Sequence, residues 1–196
     1  MLKDKIVLSL GAQFLDVLMA ALALVVARWS GEELLLIAAI SHGRDILPTT
    51  DLSRTIGGMA FTNRYLVHVD RDASLEEVIV SLREQRQQTH QAEGWLKIMR
   101  WDRFPEEITA LKPNIFFNYT GQASYLGPTL FKVTPNLEKR YKDPTEQEFW
   151  VSFMFEASIV GGRLHSSWTY SDRMYYRETV EKLNQHYIQV LQSIAI

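Results

Sequence analysis

The feature that most constrains this chain is an apolar stretch near its beginning, Phe14–Trp29. Asp16 and Arg28 interrupt or bound it, which leaves an uncharged run, Val17–Ala27, that is shorter than the roughly 20 residues needed to cross a bilayer. The stretch is rich in Ala and Leu and is followed by Gly31, so it predicts a helix of about this extent. Because that helix is apolar on nearly all sides, we expect it to lie inside the fold.

Composition excludes several classes of function. Of the 196 residues, 46% are hydrophobic and 22% are charged. The hydrophobic fraction is high enough for the chain to form a buried core. A net charge of -2 gives no attraction to phosphate backbones, so we expect no nucleic-acid partner. The chain has no cysteine, glycine-rich phosphate loop or histidine pair at metal-ligand spacing, so no metal site is predicted. Without a signal sequence or a membrane span, the expected location is the cytoplasm and no membrane partner is predicted.

The remaining pattern alternates strands and helices. The continuous apolar run Leu34–Ile40 favours a strand buried on both faces. Ser74 and Glu77 have capping-box spacing, so a second helix begins there, and beyond Gln85 its apolar stripe fades into a polar stretch that we expect to be solvated. Further strands are predicted around 65–69, 115–119, 151–159 and 164–170, the last two joined at Gly161-Gly162, and a final helix around 176–194. The fold class is therefore α/β, a mixed β-sheet with helices packed on it.

Five segments of the chain carry a resemblance to a known family. They are residues 14–22 (FLDVLMAAL), 41–45 (SHGRD), 51–57 (DLSRTIG), 117–122 (FNYTGQ) and the closing 164–179. In this order and spacing they resemble the signature motifs of nonribosomal peptide synthetase epimerization domains, which belong to the wider condensation superfamily. The resemblance implies a single lobe of the chloramphenicol-acetyltransferase-like fold, with residues 1–196 forming the C-terminal subdomain.

The acid and base groups of that family are not found in this sequence. Active members share a His-His-x-x-x-Asp-Gly motif whose second histidine transfers a proton, whereas the five histidines here are isolated: His42, His68, His90, His165 and His186. Epimerization domains also use the first glutamate of a Glu-Gly-His-Gly-Arg-Glu motif, and Ile40 stands at that position. An isoleucine side chain can neither give nor take a proton. We therefore predict no catalytic residue in this chain and no epimerase activity of the chain alone.

Four residues are candidates for substrate binding. Asn118 and Tyr119 lie in a motif that, in the family, borders the tunnel for the substrate's phosphopantetheine arm; the alternative is that Asn118 caps a strand end while Tyr119 packs in the core. His42 and Arg44 follow a buried strand, where α/β proteins often place binding residues. Their alternative role is to hold the loop by hydrogen bonds and by charge pairing with Asp45 or Asp51.

The resemblance also implies partners. No cofactor is expected to bind directly; the substrate is expected on the phosphopantetheine arm of a peptidyl carrier protein, and an N-terminal subdomain is expected in cis or in trans. Three hypotheses follow: one wall of a cleft for carrier-bound thioesters, a non-catalytic docking module for a carrier protein or synthetase domain, or an autonomous acyltransferase with His42 as base. We expect an exposed apolar surface where the missing lobe would pack, and such a surface predicts self-association.

Overall fold

A computed structural model describes residues 10–44, 50–96, 112–123 and 151–194. Within these ranges the chain forms five strands and three full helices. In chain order they are α1 (Phe14–Ser30), β1 (Leu34–Ser41), β2 (Phe61–His68), α2 (Leu75–Leu96), β3 (Ile115–Ala123), β4 (Phe153–Val160), β5 (Arg163–Tyr170) and α3 (Arg177–Ser193).

Helix α1 is the buried helix that the apolar stretch predicts. Every residue from Asp16 to Ala27 is buried, so this helix has no solvent-facing side over three turns. Gly31 ends it with a left-handed φ of 78°, and its N–H donates to the carbonyl of Ala27 at 2.9 Å. Glycine adopts that conformation without the strain that a Cβ would introduce.

The five strands form one mixed sheet in the order β2-β1-β3-β4-β5. Strands β1, β3 and β4 are parallel to one another, while β2 and β5 run antiparallel at the two edges. Gly161 and Gly162 join β4 to β5 with φ of 57° and 75°, the positive values that a two-residue hairpin turn demands. The α/β class and the mixed sheet with helices on it are confirmed, and the parallel strands end at one common edge.

The core lies between the sheet and the three helices. Helix α1 packs against α2, α3 and β1. Phe117 and Phe155 stack with ring centroids 5.8 Å apart, and Tyr187 of α3 meets Phe155 edge-on at 4.9 Å. Burying an apolar side chain of this size contributes roughly 1.5–3 kcal/mol, so these contacts fix α3 on the sheet.

Several boundaries differ from the sequence predictions. Strand β2 begins at Phe61, earlier than expected, because its first residues pair antiparallel with the end of β1, Ser41 opposite Phe61. Strand β3 continues to Ala123 across a register shift. Helix α2 continues through the polar stretch to Leu96. Strand β1 is buried on both faces only at its centre, since Leu34 is 54% exposed and Ile40 36%.

The exposed ends of β1 contribute to an apolar surface on the sheet face away from α1. Leu66 of β2 lies directly opposite Leu36 and is 56% exposed. Leu34 is two residues from Leu36 on the same face of β1. This is the kind of uncovered apolar surface that the sequence predicts, and self-association through it stays a prediction. None of the described helices is long and apolar enough to cross a membrane.

We expect Tyr187→Phe to stabilise the fold. Burial raises the pKa of Tyr187, and its hydroxyl has no hydrogen-bond partner in the described part of the chain. Removing a buried, unpaired hydroxyl should raise the free energy of unfolding by about 1 kcal/mol, measured by urea denaturation. Tyr65→Phe is the matched control, because the Tyr65 hydroxyl accepts a hydrogen bond from Asn63 at 3.1 Å, and that variant should lose about 1 kcal/mol. An equal loss of stability in both variants would contradict the conclusion that the Tyr187 hydroxyl is unpaired.

Candidate functional site

A cavity of about 630 Å³ lies where β1 and β3 end, beside the first turn of α1. Its lining brings together three of the four predicted site residues, His42, Asn118 and Tyr119. They come from distant parts of the sequence, and the parallel pairing of β1 with β3 sets their strands side by side. The remaining lining comes from the start of α1 (Gln13, Phe14, Leu15), from β1 and the loop after it (Ala39, Ile40, Ser41), from β2 and the residue before it (Ala60, Asn63, Tyr65), from α2 (Arg86) and from β3 (Thr120, Gly121).

Asn118 and Tyr119 are held by different contacts. The side-chain amide of Asn118 donates to Oε1 of Glu156 at 3.2 Å, which leaves the amide oxygen as an acceptor. Asn118 lies inside β3, so the interpretation of it as a strand-end cap is wrong. The Tyr119 ring packs edge-on against Phe14 at 5.8 Å, and burial raises the pKa of its phenol. Tyr119 therefore packs against the core while it also lines the cavity, and its hydroxyl stays protonated at neutral pH.

His42 is held by the backbone that follows it. The backbone N–H of Arg44 donates to Nδ1 of His42 at 3.1 Å, so a neutral imidazole carries its proton on Nε2. The side chain is exposed at the cavity rim. Ile40, at the position of the family's glutamate, lines the same cavity. An aliphatic surface therefore stands where a proton-transfer group stands in the family motif.

Arg44 has a different role from the other three. Its Nη1 donates to the carbonyls of Leu52 and Thr55, both at 2.7 Å, and it is not among the cavity-lining residues. Arg44 thus holds the loop by hydrogen bonds, as in the alternative considered for it. The predicted charge pair with Asp51 is not formed, because that carboxylate accepts the N–H of Ser53, which lowers the pKa of Asp51. Asp45 lies outside the described residues.

Gly43, between His42 and Arg44, lies in close contact with the backbone of Met59. Its φ is 68°, and a Cβ at this position would lie 2.0 Å from the carbonyl oxygen of Met59. The two segments can therefore approach only because residue 43 has no side chain. This close approach fixes the loop that carries His42 to the cavity rim.

Two further polar groups of the cavity were not predicted from sequence. Asn63 is 7% exposed and donates to the hydroxyl of Tyr65, which is 6% exposed. The available signal was the alternation of β2, which puts residues 63, 65 and 67 on one face, and Val67 is fully buried. A polar residue on the same strand face as a core residue needs a hydrogen-bond partner.

Arg86 is the other residue that was missed. It was assigned to a solvated stretch, but its Nε donates to Oδ1 of Asp16 at 2.7 Å and its Nη2 to Oδ2 at 3.3 Å. Asp16 has no exposed surface, and the Arg86 side chain is 19% exposed. The signal was an aspartate inside an otherwise apolar helix, because a buried carboxylate requires a paired cation.

The described lining of the cavity can donate and accept hydrogen bonds. Amides, phenols and a guanidinium supply donors and acceptors, whereas the described lining contains no carboxylate and a single histidine. Over the same described ranges, no group of three or more His, Asp or Glu side chains could hold a metal ion.

Comparison with known proteins identifies the relatives of this chain. Residues 4–196 match the condensation domain family. The chain is 32% identical over 191 residues to one of the linear gramicidin synthase proteins of Brevibacillus parabrevis, covering 93% of this chain and 2% of that protein. It is 30% identical over 174 residues to surfactin synthase subunit 2 of Bacillus subtilis (strain 168), covering 88% and 5%.

A solved structure gives the same result. The epimerization domain from the third module of tyrocidine synthetase B is similar with a TM-score of 0.74 and 25% identity, over 97% of this chain and 43% of that chain. The chain thus spans less than half of that domain and a small part of the two synthases.

We expect Gly43→Ala to disrupt the His42 loop. The new Cβ would meet the Met59 carbonyl, and the strained φ adds to the clash, so the free energy of unfolding should fall by about 3 kcal/mol or more. Gly162→Ala is the matched control, because Gly162 has a similar φ of 75° with no atom near the added Cβ; it should lose about 1–2 kcal/mol. Thermal and urea denaturation measure both losses. Equal losses would show that the Met59 contact is not limiting.

We expect Arg86→Met to cost about 3–5 kcal/mol of stability, because it leaves the buried Asp16 carboxylate unpaired. The double variant Asp16→Asn/Arg86→Met removes both charges and should recover most of that loss in urea denaturation. Arg177→Met is the control for an exposed ion pair, since Arg177 bonds Glu181 on the surface, and its free energy of unfolding should stay close to that of the unmodified chain. If the double variant were less stable than the single one, the unpaired Asp16 carboxylate would not be the cause of the stability lost in Arg86→Met.

Proposed function

The chain belongs to the condensation-domain family, and we propose that residues 1–196 act as the C-terminal subdomain of an epimerization- or condensation-type domain. In this role the chain forms one wall of the cleft that receives aminoacyl or peptidyl thioesters. The thioester is carried on the phosphopantetheine arm of a peptidyl carrier protein, and no cofactor binds this chain directly. The reaction takes place in the cytoplasm once an N-terminal subdomain completes the cleft, in cis or in trans.

The observation that carries this proposal is the convergence of His42, Asn118 and Tyr119 on one cavity. Its volume of about 630 Å³ is in the range of small-molecule sites. Tyr119 supplies a hydroxyl donor suited to a carbonyl oxygen, and the free oxygen of the Asn118 amide suits a substrate N–H. Both groups match the peptide-like end of an aminoacyl thioester.

We infer that the chain does not epimerize a substrate alone. Inversion at Cα requires one group that removes a proton from one face and another that returns a proton to the opposite face. The described lining offers one imidazole, and Ile40 occupies the position of the family's acid. We therefore assign the proton-transfer histidine to the partner subdomain.

The autonomous acyltransferase hypothesis is the weaker one. A catalytic histidine is usually oriented by a carboxylate that accepts its Nδ1–H. Here Nδ1 of His42 accepts the Arg44 N–H instead, so no carboxylate orients the ring. The exposed position of His42 also leaves a reacting group open to water.

Complementation tests the proposal. The chain is mixed with the N-terminal half of the tyrocidine synthetase B epimerization domain and with an aminoacyl-loaded carrier protein in D₂O. Deuterium uptake at Cα is followed by mass spectrometry. We expect no uptake with the chain alone and uptake above background with Ile40→Glu plus the N-terminal half, because the variant restores an acid in the cavity.

Ile56→Glu is the matched control, because Ile56 is fully exposed on a loop outside the cavity, and it should give no increase over the unmodified chain. Deuterium uptake by the chain alone, abolished by His42→Ala, would replace the proposal by the hypothesis of His42 as an autonomous base. Co-elution of the carrier protein without uptake in any mixture, Ile40→Glu included, would identify a docking module instead.

A further inference from the structure

The Asp16–Arg86 pair joins the core to the cavity. Asp16 lies in the first turn of α1 and has no exposed surface, while Arg86 reaches over from α2 and lines the cavity. Two guanidinium nitrogens bond the two carboxylate oxygens, at 2.7 and 3.3 Å. The backbone N–H of Gln13 donates to Oδ2 of the same carboxylate at 2.7 Å. Asp16 is therefore fixed from both sides, and it fixes Arg86 in turn.

Arg86 keeps hydrogen-bonding capacity after pairing. A guanidinium has five N–H donors, and Asp16 receives two of them. The side chain is 19% exposed, and Arg86 is one of the residues that line the cavity. The guanidinium can therefore donate to an oxygen atom inside the cavity without leaving Asp16.

The net charge of the Asp16–Arg86 pair indicates which kind of oxygen atom Arg86 can bind best. Asp16 neutralises Arg86, so the cavity receives oriented N–H donors without a full net charge. Such donors suit the neutral carbonyl oxygen of a thioester, and an ionised group would gain less from them. Fixed donors in a site partly shielded from water are also the arrangement that stabilises carbonyl oxygens most effectively.

We propose that Arg86 is a substrate-binding residue that donates a hydrogen bond to the acyl carbonyl oxygen of the thioester, and that Asp16 is the residue that positions it. This inference rests on the proposed function, since it assigns a group within the same cavity. It assigns the thioester carbonyl to Arg86 and leaves the Tyr119 hydroxyl and the Asn118 amide for the peptide-like part of the substrate.

A pair of probes separates this role from a structural one. The first probe is the N-acetyl-L-alanyl thioester of N-acetylcysteamine, and the second is its thioether analogue with a methylene group in place of the carbonyl. Binding of each to the full chain is measured by titration with NMR detection. We expect the chain to bind the thioester about tenfold more tightly than the thioether, because a hydrogen bond from a charged donor contributes about this factor.

Arg86→Met should abolish that preference, because it weakens the binding of the thioester and leaves the binding of the thioether unchanged. The double variant Asp16→Asn/Arg86→Met should also show no preference, and it removes the unpaired buried charge that could unfold the single variant. Arg177→Met, which changes an exposed pair far from the cavity lining, should keep the tenfold ratio. A preference that persists in the double variant overturns the inference and leaves the proposed function standing. Failure of the unmodified chain to bind either probe overturns both.

Discussion

Burial of α1 is the constraint on which the rest of the structure depends. This helix has no solvent-facing side between Asp16 and Ala27, so it must be enclosed by the sheet on one side and by α2 and α3 on the others. Among the described elements it supplies the largest share of the core, and its one buried charge, Asp16, requires the cation that α2 brings. The helix that holds the layers together therefore also fixes one side of the cavity.

The cavity lies where it does because the parallel strands β1 and β3 end together beside the start of that helix. The ladder of β1 with β3 sets Asn118 and Tyr119 across from the loop that carries His42. Two backbone features refine this edge: the glycine-dependent contact with Met59, and the register shift after Tyr119 that lets β3 continue past the cavity. Local backbone geometry thus places groups that the strand order has already brought near.

Sequence patterns predicted the features that depend on neighbours in the chain. The buried helix, the Ser74–Glu77 cap and the Gly161-Gly162 hairpin each follow from residues a few positions apart, and each is present. The motif resemblance indicated the fold and three cavity residues. Patterns missed Arg86, whose partner lies 70 positions away, and did not predict that Arg44 binds loop carbonyls. Such contacts are set by tertiary packing, which periodicity does not record.

The pairing of polar side chains agrees with the division of roles that we propose between this chain and an N-terminal subdomain. Amides, phenols and a neutralised guanidinium can be buried at modest cost when each has a partner, and this chain pairs Asn63 with Tyr65, Asn118 with Glu156 and Arg86 with Asp16. A group that must change its charge during a reaction cannot be stabilised in one state in this way, because the partner that stabilises one state penalises the other. The pairs that this chain forms hold its remaining donors and acceptors in fixed positions. Under the proposed function, the titrating group therefore comes from the N-terminal subdomain.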